Sequence, residues 1–516
     1  VDLCAPPPRL VHVSLSPEIR WHFTPRLLQS QLPGSFSLAC RSIVMNNEPA
    51  SSPHGQLSVW DTVSIIIGIV IGSSIFAAPG LIFGFLPGPR TSLLFWLLCG
   101  LLSLVGALVY AELATTYPRS GGDYVYLTRA FGRPVGFLFG WAQLVSILSG
   151  SIGFMAFVFG INACIVLGVP ENADPKLFAT IYGAAAVAVI SALNLLGVVL
   201  GKIVQNLLVL VKIAGVLLIV YAGVAYGKVE NFQIMRETDG PWGVALILIL
   251  YAYGGWNDAA FVAADLKNPR NITKALVLGI CCITLLYLLV NAAYVHGLGY
   301  HGAQFNKNIA TDTLALLDPE HGPRWMGIIV MVSALGAING MLFTGSRVYA
   351  SLGSEHRVFH LLDRRSAAFG APIWAILIQT IVVLLMMASV GTDQGQRLMN
   401  QALDAIGVDP IKWDDKNGFD TLFAGTAPVF WSFFLLTGFA YFVLRDRDRD
   451  LPRPFKLAAP LWYPVLPMIF CATCIFGFYS AITYAKMLSL IGWIPLVLGI
   501  PLYFLSGARQ QAQDAP

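Results

Sequence analysis

The chain runs to 516 residues, 56% of them hydrophobic and 12% charged, with a formal net charge of +4. A soluble domain carries about 25% charged residues, so these proportions exclude a water-soluble protein and describe one that crosses a bilayer many times. The basic residues are scattered through short loops rather than clustered, which excludes a nucleic-acid surface. Of eight cysteines, Cys99, Cys164, Cys281, Cys282, Cys471 and Cys474 lie in apolar segments, and Cys4 and Cys40 lie near the start. None falls in an expected outer loop or shows metal-ligand spacing, so no disulfide framework, metal or other cofactor is expected.

Residues 1–57 form an N-terminal extension with Pro6-Pro7-Pro8, scattered Arg and no long apolar run. The stretch 1–44 reads as a misassigned start or a disordered tail, with the working protein beginning near Met45. A transit peptide is the rival, because Arg9, Arg20, Arg26 and Arg41 stand among several serines. From residue 58 to 510 the chain is one polytopic domain. Windows of about 20 apolar residues give twelve spans, at 59–85, 91–116, 135–168, 177–198, 203–226, 242–264, 274–298, 325–353, 371–390, 421–444, 461–484 and 488–506. The longer linkers are 300–323 and 391–420, the second too polar to be a span.

Two of these spans are interrupted. In the first, Ile71-Gly72-Ser73-Ser74-Ile75 sits halfway along an apolar run, with Pro79-Gly80 soon after. In the sixth, Tyr251-Ala252-Tyr253-Gly254-Gly255-Trp256-Asn257 carries a double glycine. Backbone groups freed in lipid cost several kcal/mol each unless they are buried in protein or face a wet cavity. Paired broken helices therefore point to a transporter's binding site. The five-span separation of the breaks suggests two copies in opposite orientation, repeat one at 58–226 and repeat two at 241–444, with two helices at 461–506 appended. Close helix packing at Gly254-Gly255 is the alternative.

With Met45 placed in the cytoplasm, inner loops hold seventeen Lys and Arg and outer loops ten, so both termini are expected on the cytoplasmic side. One basic residue remains outside both groups. Lys212 lies about ten residues into the fifth span, roughly 15 Å from its end, too deep for a comfortable snorkel. A charge at that depth costs a few kcal/mol and marks function. Asp258, directly after the second break, is a candidate specificity residue for a cationic side chain, or else pairs with Asn257, Lys212 or water.

These residues resemble a known family. Gly72-Ser73-Ser74-Ile75-Phe76 is similar to the first-helix break of amino acid-polyamine-organocation transporters, and Gly106-Ala107-Leu108-Val109-Tyr110-Ala111-Glu112-Leu113 with Tyr117-Pro118-Arg119-Ser120-Gly121-Gly122-Asp123-Tyr124 to the end of their second helix and its loop. The stretch Tyr251 to Asn257 with Lys267-Asn268-Pro269-Arg270 resembles the L-type amino acid transporter branch, as does Asn339-Gly340 through Arg347. Together the motifs cover most of 57–375.

The resemblance implies an all-α integral membrane protein of LeuT-like 5+5 inverted-repeat fold, with 12 transmembrane helices and helices 1 and 6 broken. It implies sodium-independent exchange or proton-coupled uptake of L-α-amino acids by alternating access, with no catalytic residue. The substrate carboxylate would meet amides at Ser73 and Ser74, beside Gly72 and Ile75, where a half-helix N-terminus favours an anion. The ammonium would meet carbonyls at Ile71, Tyr251 and Gly254, with Tyr253 and Asn257 alongside and Tyr251 capping the site. Lys212 would stand in for a sodium ion by bridging the first break to the eighth helix. Ser74 replaces the usual glycine, which narrows the site toward small substrates. No cysteine lies in 168–174, so no disulfide-linked light chain is expected, and the setting is a cell inner (plasma) membrane. An amine, polyamine or cationic amino acid carrier and a non-transporting sensor are the alternatives.

Overall fold

The computed structural model describes residues 55–227, 240–366, 370–405, 407–411, 413, 418–460 and 462–507; the expectations for 1–44 lie outside them. Among the described residues the architecture is helical, and its one β pairing is an isolated bridge between Leu57 and Leu266. Among the described residues ten helices are long and apolar enough to cross a membrane, and the bent pair Val59–Val70 with Ser74–Phe85 adds an eleventh. The sequence reading of twelve divides the last of the ten, Val465–Leu505, which kinks at Lys486 with φ +47°.

The first span starts as α1 (Val59–Val70). Ser58 and Asp61 form a reciprocal cap: the Ser58 amide donates to Asp61 Oδ2 at 2.9 Å and the Asp61 amide to Ser58 Oγ at 3.1 Å. The helix stops where Ile71 leaves helical geometry (ψ 82°), and α2 (Ser74–Phe85) departs at 53°. Long helices follow at α3 (Pro89–Thr116), α4 (Asp123–Phe131, a short helix in the loop), α5 (Arg133–Leu167), α6 (Pro175–Leu195) and α7 (Val198–Tyr226). Inside α5 the winding loosens to a π turn at Gln143–Ile147, which apolar periodicity does not reveal.

The second broken span is α8 (Trp242–Ala252), then Tyr253-Gly254-Gly255, then a 3₁₀ segment Trp256–Asp265. Gly255 takes φ +102°, and a Cβ there would sit 2.5 Å from Ile69 Cγ2, so glycine serves both the turn and the approach of α1. Beyond lie α9 (Ile272–Ala303), α10 (Ile309–Ala315), α11 (Gly322–Glu355), α12 (Ile373–Gly391), α13 (Asp393–Ala405), α14 (Gly418–Arg447), α15 (Val465–Ala485) and α16 (Leu490–Leu505). The linkers 300–323 and 391–420 thus hold the helices α10 and α13. Gln396 and Leu403 of α13 are buried although the segment is polar overall.

Chain just outside the two breaks is tied together on the face expected to be cytoplasmic. The Leu57 amide donates to Asp265 O and the Lys267 amide to Leu57 O, both at 2.9 Å. Beside them Arg347 Nε of α11 meets Asp265 Oδ2 at 2.9 Å. On the same face the wholly buried Glu112 of α3 accepts from Arg445 (2.8 Å), Arg453 (3.1 Å), the Tyr441 hydroxyl (2.8 Å) and the Leu457 amide (2.8 Å). Nearby, Asp448 accepts from Arg129 Nε at 2.5 Å and the Tyr117 hydroxyl at 2.6 Å. The hydrogen bond from Arg129 holds the Asp448 carboxyl below the ordinary carboxylate range.

Candidate functional site

The two breaks meet at the centre of the bundle. In the first, the Gly72 amide folds back to Val70 O at 2.8 Å, and Ser73 caps α2 without using its side chain. The amides of Ser74 and Ile75 open the next helix and so have no acceptor within it. In the second, the Gly254 amide turns back to Tyr251 O at 3.0 Å.

Between them lies a cavity of about 130 Å³. Gly72, Ser74, Tyr251, Gly254 and Asp258 line it, with Phe154, Met155, Phe423 and Phe430 among its apolar walls. The Tyr251 ring lies 4.8 Å from that of Phe423 and 5.9 Å from that of Trp431. Asn257 lines a smaller hollow of about 40 Å³ that shares Tyr251, Gly254, Gly255 and Phe430 as walls. Among the described residues, Asp258 is the only acidic or basic side chain in the lining of the larger cavity.

Lys212 reaches the first break from α7. Its Nζ donates to Gly68 O at 2.7 Å and Ile71 O at 2.6 Å, carbonyls exposed where α1 unwinds. A Cβ on Gly336 of α11 would be 3.4 Å from the same nitrogen, so the ammonium sits between α1 and the helix expected to be the eighth. The lysine is wholly buried and its donors point at carbonyl dipoles, an arrangement that fits a half-helix C-terminus.

The structure places the expected site residues as follows. The Ile71 carbonyl accepts from Lys212 Nζ (2.6 Å) and the Ser333 hydroxyl (2.9 Å). The Tyr251 carbonyl is engaged by Gly254. Tyr253 turns away from the cavity: its hydroxyl donates to Trp96 O at 3.1 Å and its ring packs 5.0 Å from Tyr287. Ile71 and Ile75 bury their side chains in the core, and Ser73 lies outside the cavity lining. Asp258 meets Asn257 Nδ2 at 3.2 Å rather than Lys212.

Sequence reasoning missed Tyr287. Its hydroxyl, from α9, contacts both Val70 O (3.1 Å) and Ala252 O (2.8 Å), the last helical carbonyls before each break. A lone phenol in Leu285-Leu286-Tyr287-Leu288-Leu289 was the available signal. A buried amide relay also holds α7 to α11: Asn339 Nδ2 donates to Gln205 Oε1, and Asn194 Nδ2 to Asn339 Oδ1, each at 2.7 Å.

Residues 57–504 match the family model described as amino acid permease. The chain is 29% identical over 443 residues to the b(0,+)-type amino acid transporter 1 of Homo sapiens, covering 83% of each protein. It is 27% identical over 455 residues to the serine/threonine exchanger SteT of Bacillus subtilis (strain 168), covering 87% of this chain and 96% of that one. Against the cystine/glutamate transporter of Homo sapiens the identity is 28% over 472 residues, covering 89% and 87%. The match to the family model spans the whole helical domain with both breaks inside it, and the chain belongs to the amino acid permease family.

Proposed function

We propose that this multi-pass permease carries small neutral L-α-amino acids without sodium, by alternating access between two inverted repeats at 58–226 and 241–444. The observation that carries the reading is the pairing, at one break, of Lys212 on the outgoing carbonyls with Ser74, which lines the cavity and opens the incoming helix. An ammonium already neutralises the C-terminal dipole of α1, so a metal cation has no carbonyl set to claim there. The N-terminus of α2 favours the carboxylate of a zwitterion. With Ile71 occupied, the Gly254 carbonyl is the remaining backbone acceptor for the substrate ammonium, next to the Asn257 side chain. A cavity of about 130 Å³ under Tyr251 suits a small side chain. The printed names of the relatives, a serine/threonine exchanger among them, support amino acid exchange as the mode.

We place both termini in the cytoplasm of a plasma (inner) membrane, and expect no disulfide-linked partner because 168–174 has no cysteine. The test is counterflow of labelled serine or alanine into proteoliposomes loaded with the same amino acid. Accumulation supports the reading; binding without flux would overturn it.

A further inference from the structure

The mechanism above leaves two buried carboxylates unused. Asp258 is 6% exposed and accepts from Asn257 Nδ2 at 3.2 Å, within electrostatic range of the Asp123 charge and of the Tyr349 hydroxyl of α11. Asp123 opens α4 and is 2% exposed. Its Oδ1 accepts from the Tyr110 hydroxyl of α3 and the Thr437 hydroxyl of α14, both at 2.5 Å, while its Oδ2 has no hydrogen-bond partner. The Tyr126 hydroxyl, also buried and unpartnered, lies within electrostatic range of Asp123. Cys474 of α15 lies beyond Tyr110.

The two acids sit on segments in direct contact. The Gly121 amide donates to Phe261 O at 3.1 Å, and a Cβ on Gly122 would meet the Ala260 backbone at 3.0 Å. Among the described residues no Lys, Arg or His pairs with either acid. Two like charges without a counter-ion are costly in so dry an interior. One of the two lines the amino acid cavity, and the other lies toward the face closed by Glu112 and Arg347.

We propose that Asp258 and Asp123 form a proton site that couples amino acid movement to proton entry. The proton comes from bulk water on one side, binds a carboxylate oxygen of the pair and returns to bulk water on the other, so that only O–H bonds form and break. Burial pushes the Asp123 carboxyl up to about 6, within reach of physiological proton gradients. Uptake is therefore expected to rise as the outside pH falls through about 6.

This rests on the amino acid transport reading, and one preparation separates the two. The full chain is reconstituted in proteoliposomes holding a trapped pH dye; proton entry is read when alanine is added outside vesicles that hold none, and counterflow of labelled alanine is read in an alanine-loaded share of the same batch. The wild type is expected to acidify the lumen only when alanine is present. Asp123→Asn should keep counterflow within about twofold and lose about tenfold in protons per alanine, and Asp258→Asn should lose the same ratio. Asp123→Glu, which restores a carboxylate, should recover proton entry, and Thr437→Val should move the pH midpoint upward by removing a donor that favours the charged form. Counterflow without substrate-dependent acidification in the wild type would overturn the proton site alone, whereas absent counterflow overturns the transport reading. Undiminished acidification in both Asn variants, or an Asp258→Asn variant that loses only cationic amino acids, would also overturn the proton site.

Discussion

Lys212 makes two charge-assisted hydrogen bonds to carbonyls that have lost their helical partners. Such bonds are worth about 1.5–3 kcal/mol each, so Lys212→Ala should lower exchange by about a hundredfold or more. Wild-type exchange in that variant would remove the ionic role. Tyr287 acts at the same scale, since one hydroxyl touches the ends of both half-helices. Tyr287→Phe leaves the ring packing but strands polar groups, and a loss of about 1–3 kcal/mol is expected, read as slower counterflow in a protein that still elutes as a single species. Lysine at mid-span was legible from hydropathy alone, because every other basic residue had a loop, a span end or the N-terminal extension to occupy. Tyr287 was not, because a tyrosine among leucines more often packs as an amphipathic core residue.

At the scale of elements, the breaks were legible because glycine, serine and proline interrupt otherwise apolar runs. What escaped is where the breaks point. Tyr253 precedes the double glycine as Tyr251 does, yet two residues of rotation on α8 send one ring over the cavity and the other into the core against Trp96. Helical phase near a break cannot be counted through the break. The helices α10 and α13 escaped for a different reason: they are too short or too polar to pass a span test. Gly255→Ala is expected to abolish flux, since the new methyl meets Ile69 at 2.5 Å and the residue must also hold φ +102°. Glu112 is the corresponding test of a tie between elements. Glu112→Gln leaves Arg445 and Arg453 short of a buried counter-charge, and a loss of about 3–5 kcal/mol should appear as a lower thermal unfolding midpoint in detergent. An unchanged midpoint would show that the cluster contributes little.

For the whole molecule, the two breaks, Lys212, the tie between residues 57 and 266 and the Glu112 cluster describe a bundle with a polar centre and with one face, the one expected to be cytoplasmic, closed by two separate devices. Sodium has no place in that description, so replacing sodium with choline should leave uptake unchanged. The helical class and the position of the site were legible because the bilayer permits so few backbone solutions. The approach of the Asp123 loop to the broken helix that carries Asp258 was not, because it joins segments more than a hundred residues apart with no local pattern to announce it. The central claim is that the amide end of α2 at Ser74 receives a carboxylate. The most direct measurement is inhibition of alanine counterflow by free amino acids and by the matching amino acid amides. Strong inhibition by the acids and weak inhibition by the amides is the predicted result; equal inhibition by both would contradict it.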